Sequence, residues 1–181
     1  IGLANAGGDT INSIKQAAEF GIVAGGQNLA GLLMFLTDVK ALGLQTAQGL
    51  IFTEAWYWDI NDSSRAFAKR FAPLNGGKYP SSGQAGVYAS VLHYLKAVEA
   101  ANTDDGAKVV AKMKELPTDD PLFGKGEIRE DGRKIHPVYL VEAKKPEESK
   151  GEWDLLKIRA EIPAEEAFRP MEEGNCPLVK S

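Results

Sequence analysis

The stretch of this 181-residue sequence that looks most capable of chemistry is Asn5-Ala6-Gly7-Gly8-Asp9-Thr10. It lies between an apolar opening, Ile1–Ala4, and apolar residues at helical spacing, Ile11, Ile14, Ala17 and Ala18. A glycine loop that opens a helix can cradle a phosphate with its backbone amides. The stretch fits neither GxGxxG nor GK[ST], so a tight strand-to-helix turn stands beside that reading. Two carboxylates, Asp38 and Glu54, have no evident partner in sequence for acid–base work. No G-x-S-x-G marks a serine nucleophile. His136 precedes a proline and reads as a surface or packed histidine. With His93 as the other histidine and Cys176 as the one cysteine, no zinc or iron–sulfur ligand set has plausible spacing. Cys176 is either an isolated thiol or half of a pair whose partner lies outside this sequence. No catalytic residue, metal or cofactor is expected, and the protein is expected not to be an enzyme.

Charge and composition narrow the partners. The sequence has 21 basic and 25 acidic residues, a net charge of −4, and 44% hydrophobic residues, enough for a sizeable core. Basic residues are scattered among acids, as in EIREDGRK (127–134), so no nucleic-acid face is expected. The longest apolar run, Leu29–Leu36, is far shorter than the roughly 20 residues that span a bilayer.

The elements that must position any site follow from periodicity. After the Ile1–Ala4 strand, a helix is expected over about Thr10–Phe20, with Asp9 as N-cap and Gly21 at its end. Buried strands are expected near Leu32–Leu36 and Gly49–Thr53, making with the first a parallel sheet covered on both faces. A helix at about Ser64–Phe71 follows, and then a loop over 72–83. Ser81 and Gln84 have capping-box spacing and open a helix with Tyr88, Val91, Leu92, Leu95 and Val98 along one stripe. Asp104 or Asp105 caps another helix that carries Val109, Val110 and Met113 and closes at Pro117. Asp131-Gly132 suits a hairpin turn between Ile128 and Ile135, and Pro137–Ala143 and Trp153–Ala160 read as long strands before an irregular tail.

Ligands of open parallel sheets sit outside the carboxyl ends of the strands. Those ends present Asn5-Ala6-Gly7, then Phe35–Asp38, then Glu54-Ala55-Trp56-Tyr57-Trp58. Small residues, a carboxylate and aromatics suit a small organic ligand with an apolar or aromatic body. For Trp56, Tyr57 and Trp58 core packing is the competing role.

Several stretches together resemble a known family: GLANAGGDTINSIKQAAEFGI, FLTDVKALG (35–43), GLIFTEAWYWDIND (49–62), QAGVYASVLHYLKAVEAA (84–101), FGKGEIREDGR (123–133) and AFRPMEEGNCPLVK (167–180). They resemble type I periplasmic binding proteins, the solute-binding components of ABC transporters, in the Leu/Ile/Val-binding-like branch for branched-chain amino acids and aromatic acids. The resemblance implies a Rossmann-like α/β fold of two lobes joined by three crossovers, with a small ligand held between them. It also implies roughly twice this length, so the sequence is expected to be a C-terminal half: 1–61 in lobe two, 62–118 as helices belonging with lobe one, and 119–181 as hairpin strands returning to lobe two, plus the tail. The hinge is expected near Trp56–Asp59 and Pro117–Asp120. Carried over by position, the ligand-binding residues are Asn5, Ala6, Gly7, Phe35, Thr37 and Asp38, joined by Trp56 and Tyr57 from the strand ends. Asp38 is the implied partner of a ligand ammonium. If it faces elsewhere, an aromatic or other carboxylate without an amine takes the amino acid's place. The implied partners are that small ligand and an inner-membrane permease, and the implied location is the periplasm. The alternative is a ligand-sensing domain of the same fold in a regulator or receptor. A half without its mate is expected to expose the Tyr88, Leu92 and Leu95 face and to form oligomers, or a swapped dimer.

Overall fold

The computed structural model describes residues 1–177 and 179; the remainder of the expected irregular tail lies outside the described residues. A mixed five-stranded sheet has the order β1 (Gly2–Leu3), β2 (Ala30–Gly31), β3 (Ile51–Glu54), β6 (Val138–Ala143), β7 (Leu156–Ile162). The first three strands run parallel, as expected, and β6 and β7 join antiparallel. β4 (Thr118–Asp120) and β5 (Gly124–Gly126) form a separate small hairpin that the sequence pattern did not single out. Around Asp131-Gly132 only an isolated bridge, Ile128 to Lys134, takes the place of the expected longer pairing.

Local chemistry explains where the helices start. α1 (Gly7–Glu19) begins three residues earlier than expected, with Ala6 at the N-cap and Asp9 inside the first turn. Gly7 has φ +57°, a left-handed value that glycine adopts without a Cβ penalty. α2 (Leu36–Leu42) and α3 (Leu44–Ala47) follow β2. α4 (Asp62–Phe71) is capped by Asn61, which accepts from the Ser64 amide at 2.9 Å. α5 (Ser82–Ala101) has the expected capping box: the Gln84 side chain accepts from the Ser81 amide, and Ser81 Oγ accepts from the Gly83 amide. Asp105 caps α6 (Gly106–Glu115) by accepting from the Lys108 amide at 3.0 Å. One turn, α7 (Ala164–Ala167), forms in the part of the tail expected to be irregular.

One expectation fails for a tertiary reason, and another holds. The strand placed at Leu32–Leu36 lies at Ala30–Gly31, and Leu32 and Leu33 are 66% and 53% exposed. Met34 folds back over Gly31, where a Cβ would stand 2.5 Å from its Sδ, and that turn directs the two leucines outward. The apolar stripe of α5 faces outward, in line with the exposure expected of the Tyr88 and Leu95 face. Its buried side is Ala85, Ala89, His93 and Ala97, while Val91 and Leu95 are half exposed. Small residues at i, i+4 spacing let α6 approach closely, and the ring Nε2 of His93 lies 2.8 Å from the Met113 carbonyl across that contact.

The main core lies under the sheet and includes Phe52, Tyr57, Val141, Trp153 and Leu156. A second cluster of Trp56, Phe67, Ala85 and Leu122 belongs to the helical part, and Trp58 and Ile60 touch both. The covering of the sheet thins along β7, where Arg159–Glu161 are exposed. Lys157 pairs there with Glu142 and Glu148, charges that discourage edge-to-edge association.

Candidate functional site

Since β1, β2 and β3 are parallel neighbours, the loops that follow them leave the same edge of the sheet. Asn5–Gly7, Leu32–Asp38 and Ala55–Trp58 are thereby brought together at one end. The Asn5 side chain is committed to α1: its amide donates to Ser13 Oγ at 2.9 Å and its oxygen accepts from Thr10 Oγ1 at 3.0 Å. It shapes the loop, leaving Ala6 and Gly7 exposed at its tip.

The loop after β2 carries the expected Phe35, Thr37 and Asp38. Phe35 is 37% exposed, and Thr37 is exposed beside it. Asp38 Oδ2 accepts from the Phe35 amide at 2.9 Å, an N-terminal brace of the kind that satisfies a donor with no intrahelical partner. That oxygen is used locally. Leu32 and Leu33, in the same loop, are also exposed, and the sequence reading missed that. Their signal was the Gly31…Met34 spacing, which acquires meaning only once the two residues are seen in contact.

Trp56 and Tyr57, expected at the ligand, are packed inside the protein, 1% and 3% exposed. Trp56 meets Phe67 edge-to-face at 5.9 Å, and its Nε1 donates to Ser64 Oγ at 3.0 Å. The Tyr57 hydroxyl donates to the Trp153 carbonyl at 3.2 Å, and burial raises its pKa well above the usual phenol value. Trp58 Nε1 reaches the same carbonyl at 2.8 Å, while Tyr79 stacks on Trp153 with centroids 6.0 Å apart. These aromatics fasten the 144–155 loop to the segment where the chain leaves the sheet for the helices.

Glu54 closes β3 and is 2% exposed. Its Oε1 accepts from the Leu36 amide at 2.9 Å, and the Ser82 hydroxyl stands beside it. Burial, reinforced by the nearby Asp38 charge, pushes its pKa up to about 7. Phe35 and Thr37 also face a groove of about 770 Å³ whose other wall is Phe67, Phe71 and Tyr88, with Arg70, Ser81 and Gln84 as its polar groups. No group of three or more His, Cys, Asp or Glu is placed to hold a metal among the described residues. No described helix is long and apolar enough to cross a membrane.

Comparison with known proteins agrees with this geometry. Residues 1–152 match the family model described as periplasmic binding protein. No curated protein matches the chain. Among solved structures, a periplasmic binding protein from Burkholderia mallei is 52% identical with a TM-score of 0.92; the match covers 99% of this chain and 47% of that one. A branched-chain amino acid ABC transporter periplasmic ligand-binding protein from Burkholderia xenovorans is 43% identical, TM-score 0.86, with 98% and 47% covered. A solute-binding protein of an ABC transporter from Rhodopseudomonas palustris, in complex with 3,4-dihydroxybenzoic acid, shares the fold at 20% identity and TM-score 0.74, with 90% and 44% covered. The chain thus spans about half the length of the relatives it matches. It belongs to the periplasmic binding protein family.

Proposed function

We propose that this chain is one half of a two-lobed solute receptor that captures a small carboxylate-bearing molecule and delivers it, in the periplasm, to an inner-membrane permease. The observation that carries the ligand class is the wall at the carboxyl ends of β1 and β2. Leu32, Leu33 and Phe35 stand exposed there, while an Asp38 oxygen is taken up by the Phe35 amide. An apolar wall with its acid braced inward suits a flat or branched apolar body better than an ammonium group. An aromatic carboxylate is therefore favoured over a branched-chain amino acid, with Ala6, Gly7, Phe35 and Thr37 as lobe-two contacts and Asn5 and Asp38 as the braces of their loops.

Residues 62–118 supply the support for a second lobe. Their exposed apolar face, Val87, Tyr88, Val91 and Leu95, suits cover by the other half of the receptor. Closure of the two lobes on the ligand is a two-state equilibrium, biased by contacts made only in the closed form. The test is thermal-shift screening of the full-length receptor against 3,4-dihydroxybenzoate, benzoate, leucine and valine, with this chain alone in parallel. Stabilisation of the full-length receptor by the aromatic acids supports the reading. Stabilisation by leucine and valine alone returns Asp38 to the role of ammonium partner. No shift with either class removes the ligand assignment.

A further inference from the structure

Glu54 is a buried acid at the point where three elements meet. It ends β3, its Oε1 holds the first amide of α2, and it stands against Ser82, the first residue of α5. An α-helix begins with amides that have no intrahelical acceptor, and in a buried place each needs a partner from elsewhere. Glu54 supplies that partner for the short helix whose start carries Phe35 and Thr37. The Ser82 hydroxyl beside this carboxyl belongs to the start of the long helix that forms the opposite wall of the groove.

The surroundings of this acid decide what it does. From α2 the Asp38 charge faces it and opposes its ionisation. From β6 its directly paired neighbour is Tyr139, a phenol whose own ionisation burial disfavours. The first turn of α5 offers a hydroxyl and no acidic residue. Among the described residues no cation pairs with Glu54. A neutral carboxyl fits this setting, because it still accepts from the Leu36 amide and, buried beside the Asp38 charge, needs no counterion. An ionised one is a buried charge without a counterion, a costly arrangement that opening toward water relieves.

We infer that Glu54 is a positioning residue that fixes the Phe35–Thr37 wall against the start of α5, and that this junction loosens when the carboxyl gives up its proton. Its influence on ligand rests on the reading above that Phe35 and Thr37 face the cleft; the junction itself does not. Burial moves its titration to about 7, so the loosening falls near neutral pH.

Amide hydrogen exchange of residues 33–38 and 82–85, corrected for intrinsic rates and followed from pH 5 to 9, tests this in the wild type, Glu54→Gln and Ser82→Ala. In the wild type the opening constant at Leu36 rises by up to about tenfold per pH unit below 7 and then levels off. Glu54→Gln keeps the acceptor for Leu36, cannot ionise, and shows no slope. Ser82→Ala removes a bond that favours the ionised form, so its transition moves to higher pH. A flat wild type, or an equal slope in Glu54→Gln, overturns the inference. Binding of 3,4-dihydroxybenzoate over the same range gives the second arm. Affinity that weakens with pH in the wild type and not in Glu54→Gln supports the coupling, and affinity indifferent to pH while exchange changes overturns it. Absence of binding at every pH counts against the receptor's ligand, and the exchange slope still decides the junction.

Discussion

Along β3 and β6 the large side chains turn inward, with Phe52 at 2% and Val141 at 0% exposure. Along α5 the inward stripe is alanines and a histidine, and Val91 and Leu95 are 50% and 55% exposed. One region buries its bulk within this chain. The other spends its smallest residues on contact with α6 and leaves its bulk facing out. Exposed apolar surface of this kind marks an interaction face, whereas buried bulk marks an autonomous core. The comparison marks α5 as the face open to a partner, and substitutions can break it.

The largest effect is expected at Phe52. Phe52→Ala leaves a cavity in the main core and should cost about 3–5 kcal/mol in urea unfolding. A loss under about 1 kcal/mol would show that the sheet core is less tightly packed than its burial implies. Gly31→Ala comes next. The new Cβ meets Met34, itself 2% exposed, so the loop must shift, with an expected cost of about 1–3 kcal/mol. The same substitution should change ligand binding through Leu32 and Leu33. Met34→Ala made together with Gly31→Ala should recover part of the binding if the clash is the cause.

That loop also shows where sequence reasoning stopped. Caps were legible at Ser81–Gln84, and to within one residue at Asp104 or Asp105, because a cap is settled by residues three apart. The parallel order of the first three strands was legible from short apolar runs separated by crossovers. Exposure of Leu32 and Leu33 was not, because an apolar run reads as a strand until Met34 is seen folded over Gly31. The stripe on α5 was correctly read as one face. Periodicity carries no label for which face a partner covers, and Ala85, Ala89 and Ala97 took the inside. Trp56 and Tyr57 were ambiguous in kind, since an aromatic serves a ligand or a core equally well, and here both polar tips find partners within the protein.

Acid–base behaviour sets two titratable groups against each other. Glu54 in the sheet body has a folded-state pKa raised to about 7, so from its ordinary value upward the folded form retains a proton that the unfolded form has lost. Stability from this group is complete below the ordinary glutamate range and falls by at most about 1.4 kcal/mol per pH unit until pH 7. His136, beside the β4–β5 hairpin, has its pKa lowered, first by burial and then by the Lys134 and Arg133 charges. The unfolded form therefore binds a proton that the folded form refuses, and stability falls as pH drops below 6.5. The two slopes oppose each other. Glu54→Gln should leave only the rise of stability with pH due to His136, and His136→Gln only the fall due to Glu54. Urea midpoints measured from pH 5 to 8 read both, and a Glu54→Gln profile that still falls toward pH 7 contradicts the assignment.

The smallest stability effect should come from the face that looks most hydrophobic. Leu95 is 55% exposed, so Leu95→Lys should move the unfolding free energy of this chain by no more than about 0.5 kcal/mol. Its effect belongs to association. With Tyr88, Val91 and Leu95 uncovered, the chain on its own is expected to self-associate through α5, and light scattering over a concentration series should show mass rising with concentration. Leu95→Lys places a charge in that contact and should return the chain to monomer while the urea midpoint stays fixed. In the two-lobed receptor, if the other lobe covers α5 as proposed, the same substitution should instead destabilise strongly, because it buries an unpaired ammonium. A chain that is monomeric at every concentration, together with a receptor indifferent to Leu95→Lys, would mean that α5 faces water by design and that both regions are complete without a partner.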